Sequence, residues 1–115
     1  MGNIQSALPS PRIEEGIIKW YVGDQFELGF KLNLEDADGE TIILNDSDTV
    51  IVEVKRWDKE PIKEFVFTNV VDNFVTLVFD EDTTGLFQKG DYIYDIRIEG
   101  SFKTTVVNDN LIKVE

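Results

Sequence analysis

The side chains this sequence could use for chemistry are carboxylates, lysines and hydroxyls, because its 115 residues include neither histidine nor cysteine. Without histidine it lacks the commonest general base and metal ligand. Without cysteine it has no thiolate nucleophile, disulfide or sulfur-ligated metal. Carboxylates are abundant, with 23 Asp and Glu against 11 Lys and Arg. A glycosidase needs two of them flanking a sugar cleft, one with a raised pKa. At this density chance pairs are unavoidable, and these acids cluster in turns rather than in apolar surroundings that would raise a pKa. No catalytic residue is assigned, and a non-enzyme is expected. The run Glu35-Asp36-Ala37-Asp38-Gly39-Glu40 invites a calcium reading. With Gly39 at the turn glycine of an EF-hand loop, however, the first ligand position falls on Leu34. The last falls on Asn45, where a bidentate Glu is required. Asp46, Asp48, Asp80, Glu81 and Asp82 could still gather at one end of a fold and hold a weak calcium. Asp in turns more commonly bonds its own backbone, so neither a metal nor another cofactor is assigned.

The net charge of −12 repels phosphate backbones and anionic lipid, which argues against nucleic acid and membrane surfaces as partners. No stretch approaches the ~18 apolar residues of a membrane helix. The N-terminal Met1-Gly2-Asn3-Ile4-Gln5-Ser6 has neither the cationic nor the apolar region of a secretory signal. It matches the acylation pattern Met-Gly-x-x-x-Ser through Gly2 and Ser6, but that pattern is short and common, and one acyl chain anchors weakly. Pro9 and Pro11 deny both helix and ladder to the segment from Ser6 to Pro11. Residues 1–12 are therefore expected to be an irregular arm, and 13–115 a single domain.

The elements that position everything else are strands. Residues 25–34 alternate with period two: Phe26, Leu28, Phe30, Leu32 and Leu34 point one way, and Glu27, Gly29, Lys31 and Asn33 the other. Residues 49–57 alternate with Val50, Val52 and Val54 inward, and residues 91–99 with Tyr92, Tyr94, Ile96 and Ile98 inward. Weaker strand patterns cover 13–21, interrupted near Gly16, then 41–44, 62–71, 74–79, 102–107 and 111–114. Asp36-Ala37-Asp38-Gly39, Asp72-Asn73 and Gly100-Ser101 supply turns, and residues 80–89 are irregular with room for one helical turn. No segment shows the apolar spacing of an amphipathic helix. The expected fold is all-β, an immunoglobulin-like antiparallel sandwich of about seven to nine strands.

Leu86-x-x-x-Gly90-x-Tyr92 stands just before a strongly alternating late strand. This fits a tyrosine corner, with the Tyr92 hydroxyl bonded to upstream backbone, Gly90 relieving crowding and Leu86 plugging the core end. Outer-face phasing picks out apolar residues with no core to fill: Ile51 and Trp57 opposite the valines, Phe74 and Val78 opposite Val75, Leu77 and Phe79, and Ile93 opposite Tyr92 and Tyr94. Should they converge, they would form a partner surface. Of Trp20 and Tyr21, one must face inward.

Gly23-Asp24-x-Phe26-x-Leu28-x-Phe30-x-Leu32, Asp36-x-Asp38-Gly39-x-x-Ile42-x-Leu44, the valine-rich 49–55 and Gly90-Asp91-Tyr92-x-Tyr94-Asp95-Ile96 together resemble a known family. It is the immunoglobulin-like N-terminal domain of bacteriophage baseplate upper proteins and related small phage structural proteins. The resemblance spans about residues 20–115 and implies a virion component that docks to other phage structural proteins, found in the virion or in the bacterial cytoplasm before assembly. In that family the domain opens a longer chain, whereas this sequence stops after one sandwich. Nothing downstream would then trimerise it or contact a host receptor, and a homo-oligomer is left open. Strand edges such as 102–107 offer backbone groups to a neighbour. A carbohydrate-binding or cell-surface sandwich is the alternative, with Trp57 or Trp20 as the stacking platform for a glycan.

Overall fold

The computed structural model describes residues 10–115. Eight strands and one helical turn follow the chain: β1 (Arg12–Glu14), β2 (Ile17–Trp20), β3 (Phe26–Lys31), β4 (Thr49–Arg56), β5 (Pro61–Phe67), β6 (Phe74–Phe79), α1 (Glu81–Thr84), β7 (Gly90–Glu99) and β8 (Thr104–Val114). Six form one sheet in the order β1-β2-β8-β7-β4-β5, and β3 pairs with β6 in a second sheet of two. The fold is thus an all-β sandwich, but a mixed one rather than wholly antiparallel. β2 runs parallel to β8, with Ile18 beside Ile112 and Trp20 beside Val114.

The alternating segments become the strands that carry the core. Val50, Val52 and Val54 of β4 and Tyr92, Tyr94, Ile96 and Ile98 of β7 are buried, facing Phe26 and Leu28 of β3 and Val75, Leu77 and Phe79 of β6. β-Branched and aromatic residues fit a pleated face that is covered on one side, which is why these segments form strands at all. β3 is shorter than its apolar alternation. It ends at Lys31, yet Leu32 and Leu34 remain buried through a loop in which the Ile42 N–H bonds the Leu34 carbonyl at 2.9 Å.

Four other expectations are corrected. Residues 13–21 are not one interrupted strand but a hairpin, because Glu15 and Gly16 both take positive φ (53° and 79°) and reverse the chain between β1 and β2. Arg12, placed in the expected arm of residues 1–12, belongs to that first strand; the rest of that stretch up to residue 9, with the acylation pattern at Gly2 and Ser6, lies outside the described residues. Residues 41–44 form no strand, only the single bridge of Thr41 to Glu35. Residues 108–110 do not break the last strand. Asp109, at φ 53°, makes a bulge inside β8, held where its N–H bonds Asp95 Oδ1 at 2.7 Å.

The tyrosine corner is present in modified form. The Tyr92 hydroxyl donates to the Gln88 carbonyl at 2.8 Å. Phe87 rather than Leu86 plugs the core, since Leu86 is exposed while Phe87 packs edge-on against Tyr92 at 5.1 Å. Gly90 sits at φ 155°, a conformation that disfavours side chains, whereas the space beside it is open. Its need is therefore backbone freedom rather than room.

Candidate functional site

Outer-face phasing is right about direction, and right about exposure at Trp57, Phe74 and Val78 but not at Ile51 and Ile93. Ile51 is only 9% exposed and Ile93 only 6%. Both lie on interior strands of a six-stranded sheet, with a neighbouring strand on each side. Ile51 sits between Arg97 and Val66, and the Arg97 guanidinium reaches toward Glu53, Glu64 and Glu99. Ile93 sits between Lys55 and Leu111. Phe74 and Val78 lie on the opposite side of the molecule, on the outer face of the β3–β6 sheet. Phase alone cannot separate two outer faces. Phe74 is committed there: its ring covers Gly29, where an added Cβ would meet the Phe74 ring at 2.6 Å. Val78 lines a separate groove between the β5 and β6 edges with Lys63, Phe65 and Phe67. The five outer residues therefore do not form one surface.

Trp57 is the one that stands free, with 70% of its surface exposed. It follows β4 directly, at the start of the turn 57–60. That turn closes through Lys59 N–H to the Arg56 carbonyl (2.7 Å) and Arg56 N–H to the Glu60 carbonyl (2.8 Å), with Lys59 at φ 75°. Holding the backbone this tightly places the indole beyond the end of the sheet, where no strand covers it. Beside it lies Leu111 of β8, 50% exposed, which the sequence phasing did not single out. Trp57, Leu111, Ile17, Ile112, Asp91 and Lys113 line a cleft of about 310 Å³. Leu111 could have been found from its alternation with Ile112 and Val114. Its neighbour Ile17 needed the parallel β2–β8 pairing, which no local pattern announces.

Next to this apolar cleft the sheet is charged. Lys55 Nζ lies 2.6 Å from Asp95 Oδ2, Lys59 Nζ lies 3.1 Å from Asp109 Oδ2, and the first pair is mostly shielded from water. The Asp95 hydrogen bond keeps Lys55 protonated to higher pH than usual. Burial disfavours the Asp95 anion, but Lys55 and the Asp109 N–H outweigh it and hold that carboxyl below its ordinary range. Asp48, bonded by the Asn45 and Ser101 N–H groups and the Ser101 hydroxyl, and Asp80, bonded by the Thr83 N–H at the start of α1, are lowered as well. Every carboxylate with a displaced pKa is therefore displaced downward, the opposite of what a general acid at neutral pH requires.

Asp46, Asp48, Asp80, Glu81 and Asp82 do not assemble into a calcium site. No three acidic side chains among the described residues stand close enough to share a metal ion. Asp48 and Asp80 instead spend their oxygens on backbone N–H groups, and the 35–40 loop does the same through Asp36, which accepts from Asp38 and Glu40 at 2.9 and 3.0 Å. Trp20 is 2% exposed inside the core and cannot be a stacking platform. Among the described residues no helix is long and apolar enough to cross a membrane. No family model matches the chain, and no curated protein matches it in sequence.

Proposed function

We propose that this domain is a non-catalytic docking module, of the kind that a phage or prophage tail assembly uses to join neighbouring proteins, and that it seats its partner at the Trp57 cleft. The observation that supports this reading is a tryptophan left 70% exposed beside a half-exposed leucine, rimmed by charged residues. A central aromatic anchor with a polar surround is the usual anatomy of a protein-binding hot spot. The downward-displaced carboxylates support the non-catalytic part of the reading.

A photo-cross-linking residue introduced at position 57 of the full chain, in the cells that make it, tests the proposal. A discrete cross-linked partner at position 57, and none from the same probe at position 78 on the opposite face, is the expected result. Equal cross-linking at both positions would remove the cleft from the reading. The exposed indole also suits a sugar ring, which gives the glycan-binding alternative one specific observation of its own. Because Trp20 is buried, a saturable change in tryptophan emission on adding oligosaccharide would report Trp57 and would favour that alternative.

A further inference from the structure

We propose that residues 104–110 of β8 are an acceptor edge on which an extended segment of a partner protein adds as a further strand, a second contact separate from the Trp57 cleft. β8 is paired along one side by β7, from Gly90 beside Val114 to Ile98 beside Thr104. Along its other side β2 covers only Ile112 to Val114. The outward N–H and C=O groups of residues 104–110 therefore have no backbone partner among the described residues. In an exposed strand such groups bond water, or they bond another strand.

Two features set this edge apart. A groove of about 460 Å³ runs beside it, lined by Leu34, Ile42, Phe102, Lys103, Thr105 and Val106 among others, so an added strand would gain side-chain contacts as well as ladder bonds. Phe102, Val106 and Ile42 are only partly buried there. In a chain in which 30% of residues are charged, residues 104–110 carry one charge, that of Asp109, which is paired with Lys59. The opposite edge of the same sheet, β5, opens with Pro61 and carries Lys63 and Glu64, which discourage pairing, whereas residues 104–110 carry no proline and are interrupted only by the register shifts between Thr105 and Asn110.

The occupant is a partner's extended segment rather than a second copy of this chain. β2 stands on the same edge as the free residues. An antiparallel copy pairing over the whole free length would drive its own β1–β2 hairpin against the corner at Gly100 and Ser101. A simple extended segment has no such obstacle. Its chemistry follows from the groove and from the net charge of −12: apolar residues at alternate positions facing Phe102, Val106 and Ile42, with neutral or basic residues between them.

The test uses the isotope-labelled full chain and the blocked peptide Lys-Val-Thr-Val-Thr-Val-Lys. Two further forms are N-methylated at alternate residues, so that each loses the N–H groups of one edge. The parent peptide should shift the amides of residues 104–110, Ile42 and Phe102 while leaving the Trp57 indole N–H in place. One methylated form should bind about tenfold more weakly or worse, and the other within about threefold of the parent. No shift at millimolar peptide, or equal binding by both methylated forms, would overturn the inference. Shifts confined to Trp57, Leu111 and Ile17 would overturn it while leaving the cleft reading intact. Protection of the 104–110 amides from exchange in the free chain would also overturn it, since a segment of the chain itself would then hold the edge.

Discussion

At one pole of the sandwich Trp20, Phe26, Phe79 and Phe87 close the core with rings, whereas at the other Asn73 and Asp48 close it with directed hydrogen bonds. The rings form a connected set: Phe26 stacks on Phe79 at 4.5 Å, and Trp20 lies 4.8 Å from Phe26, 5.2 Å from Phe79 and 5.7 Å from Phe87. At the other pole the buried Asn73 side chain accepts from the Leu44 N–H (2.9 Å) and donates to the Ile42 carbonyl (2.7 Å). Its own carbonyl accepts from Leu32 N–H at 2.8 Å. One residue thus ties the 42–44 loop, the end of β3 and the turn into β6. Asp48 clasps the 45–48 loop to Ser101. Burial of ring surface is non-directional and scales with area, so this pole tolerates small displacements. The clasps fail one atom at a time, each failure leaving a buried donor or acceptor with nothing to bond.

Substitutions at the two poles should therefore differ in kind as well as size. Trp20→Ala should be the most damaging, at about 3–5 kcal/mol in a urea titration, since it opens a cavity among three rings. A loss below about 1 kcal/mol would mean the ring cluster is incidental to stability. Asn73→Ala should cost about 2–3 kcal/mol by orphaning the Leu44 N–H and the Ile42 carbonyl. Asn73→Asp is the sharper probe. It keeps the acceptor but not the donor, so a stability equal to the unsubstituted chain would show that shape rather than hydrogen bonding closes this pole. Tyr92→Phe keeps the ring against Phe87 and deletes the bond to Gln88, for a loss of about 1 kcal/mol by thermal melting. If it leaves the melting temperature unchanged, the corner is held by packing alone.

Acid should separate the poles most subtly. The folded Asp48 carboxyl titrates below its unfolded value. Its contribution is thus fully present above about pH 4, and is lost as the pH falls through the lower folded value. Amide exchange at Asn45 and Ser101 should accelerate in that range before exchange in β3 does, and Asp48→Asn should remove the difference. Simultaneous acceleration at both poles would mean that Asp48 has no local role.

The ring pole was half legible in the sequence, through Phe26 and Phe79, and the clasp pole was not. Phe26, Phe79 and Tyr92 fall in strict alternation with other apolar residues, and alternation is the signal of a half-buried strand. Asn73 and Asp48 lie in Asp- and Asn-rich turns, where a buried clasp and a solvated turn residue have the same composition. Asp72-Asn73 does read as a turn, and both residues take positive φ, but nothing local shows that the Asn73 amide faces inward. The docking surface was half legible. Trp57 stands out by phase, whereas the burial of Ile51 and Ile93 depends on neighbours brought in by β5, β7 and β8. Leu86 and Phe87 show the same limit, since the register of a plug one residue away from the expected one is set by the backbone geometry of the corner.

The parallel pairing of β2 with β8 bears on the order in which the molecule is assembled. Of the strand pairings in the described chain it spans the widest separation in sequence, and it is extended by Glu115 N–H to the Trp20 carbonyl (2.8 Å) and Val22 N–H to the Glu115 carbonyl (3.0 Å). The Arg12 guanidinium pairs with the Glu115 side chain at the same place. Closing so distant a contact is entropically slow, and it becomes worthwhile only once β7 and β8 have formed their hairpin. A circular permutant that links residue 115 to residue 10 and reopens the chain in the exposed 36–39 turn would make this contact local. It should fold faster than the parent with the same eight strands, which would identify the last seam of the sandwich to close as the one beside Trp20.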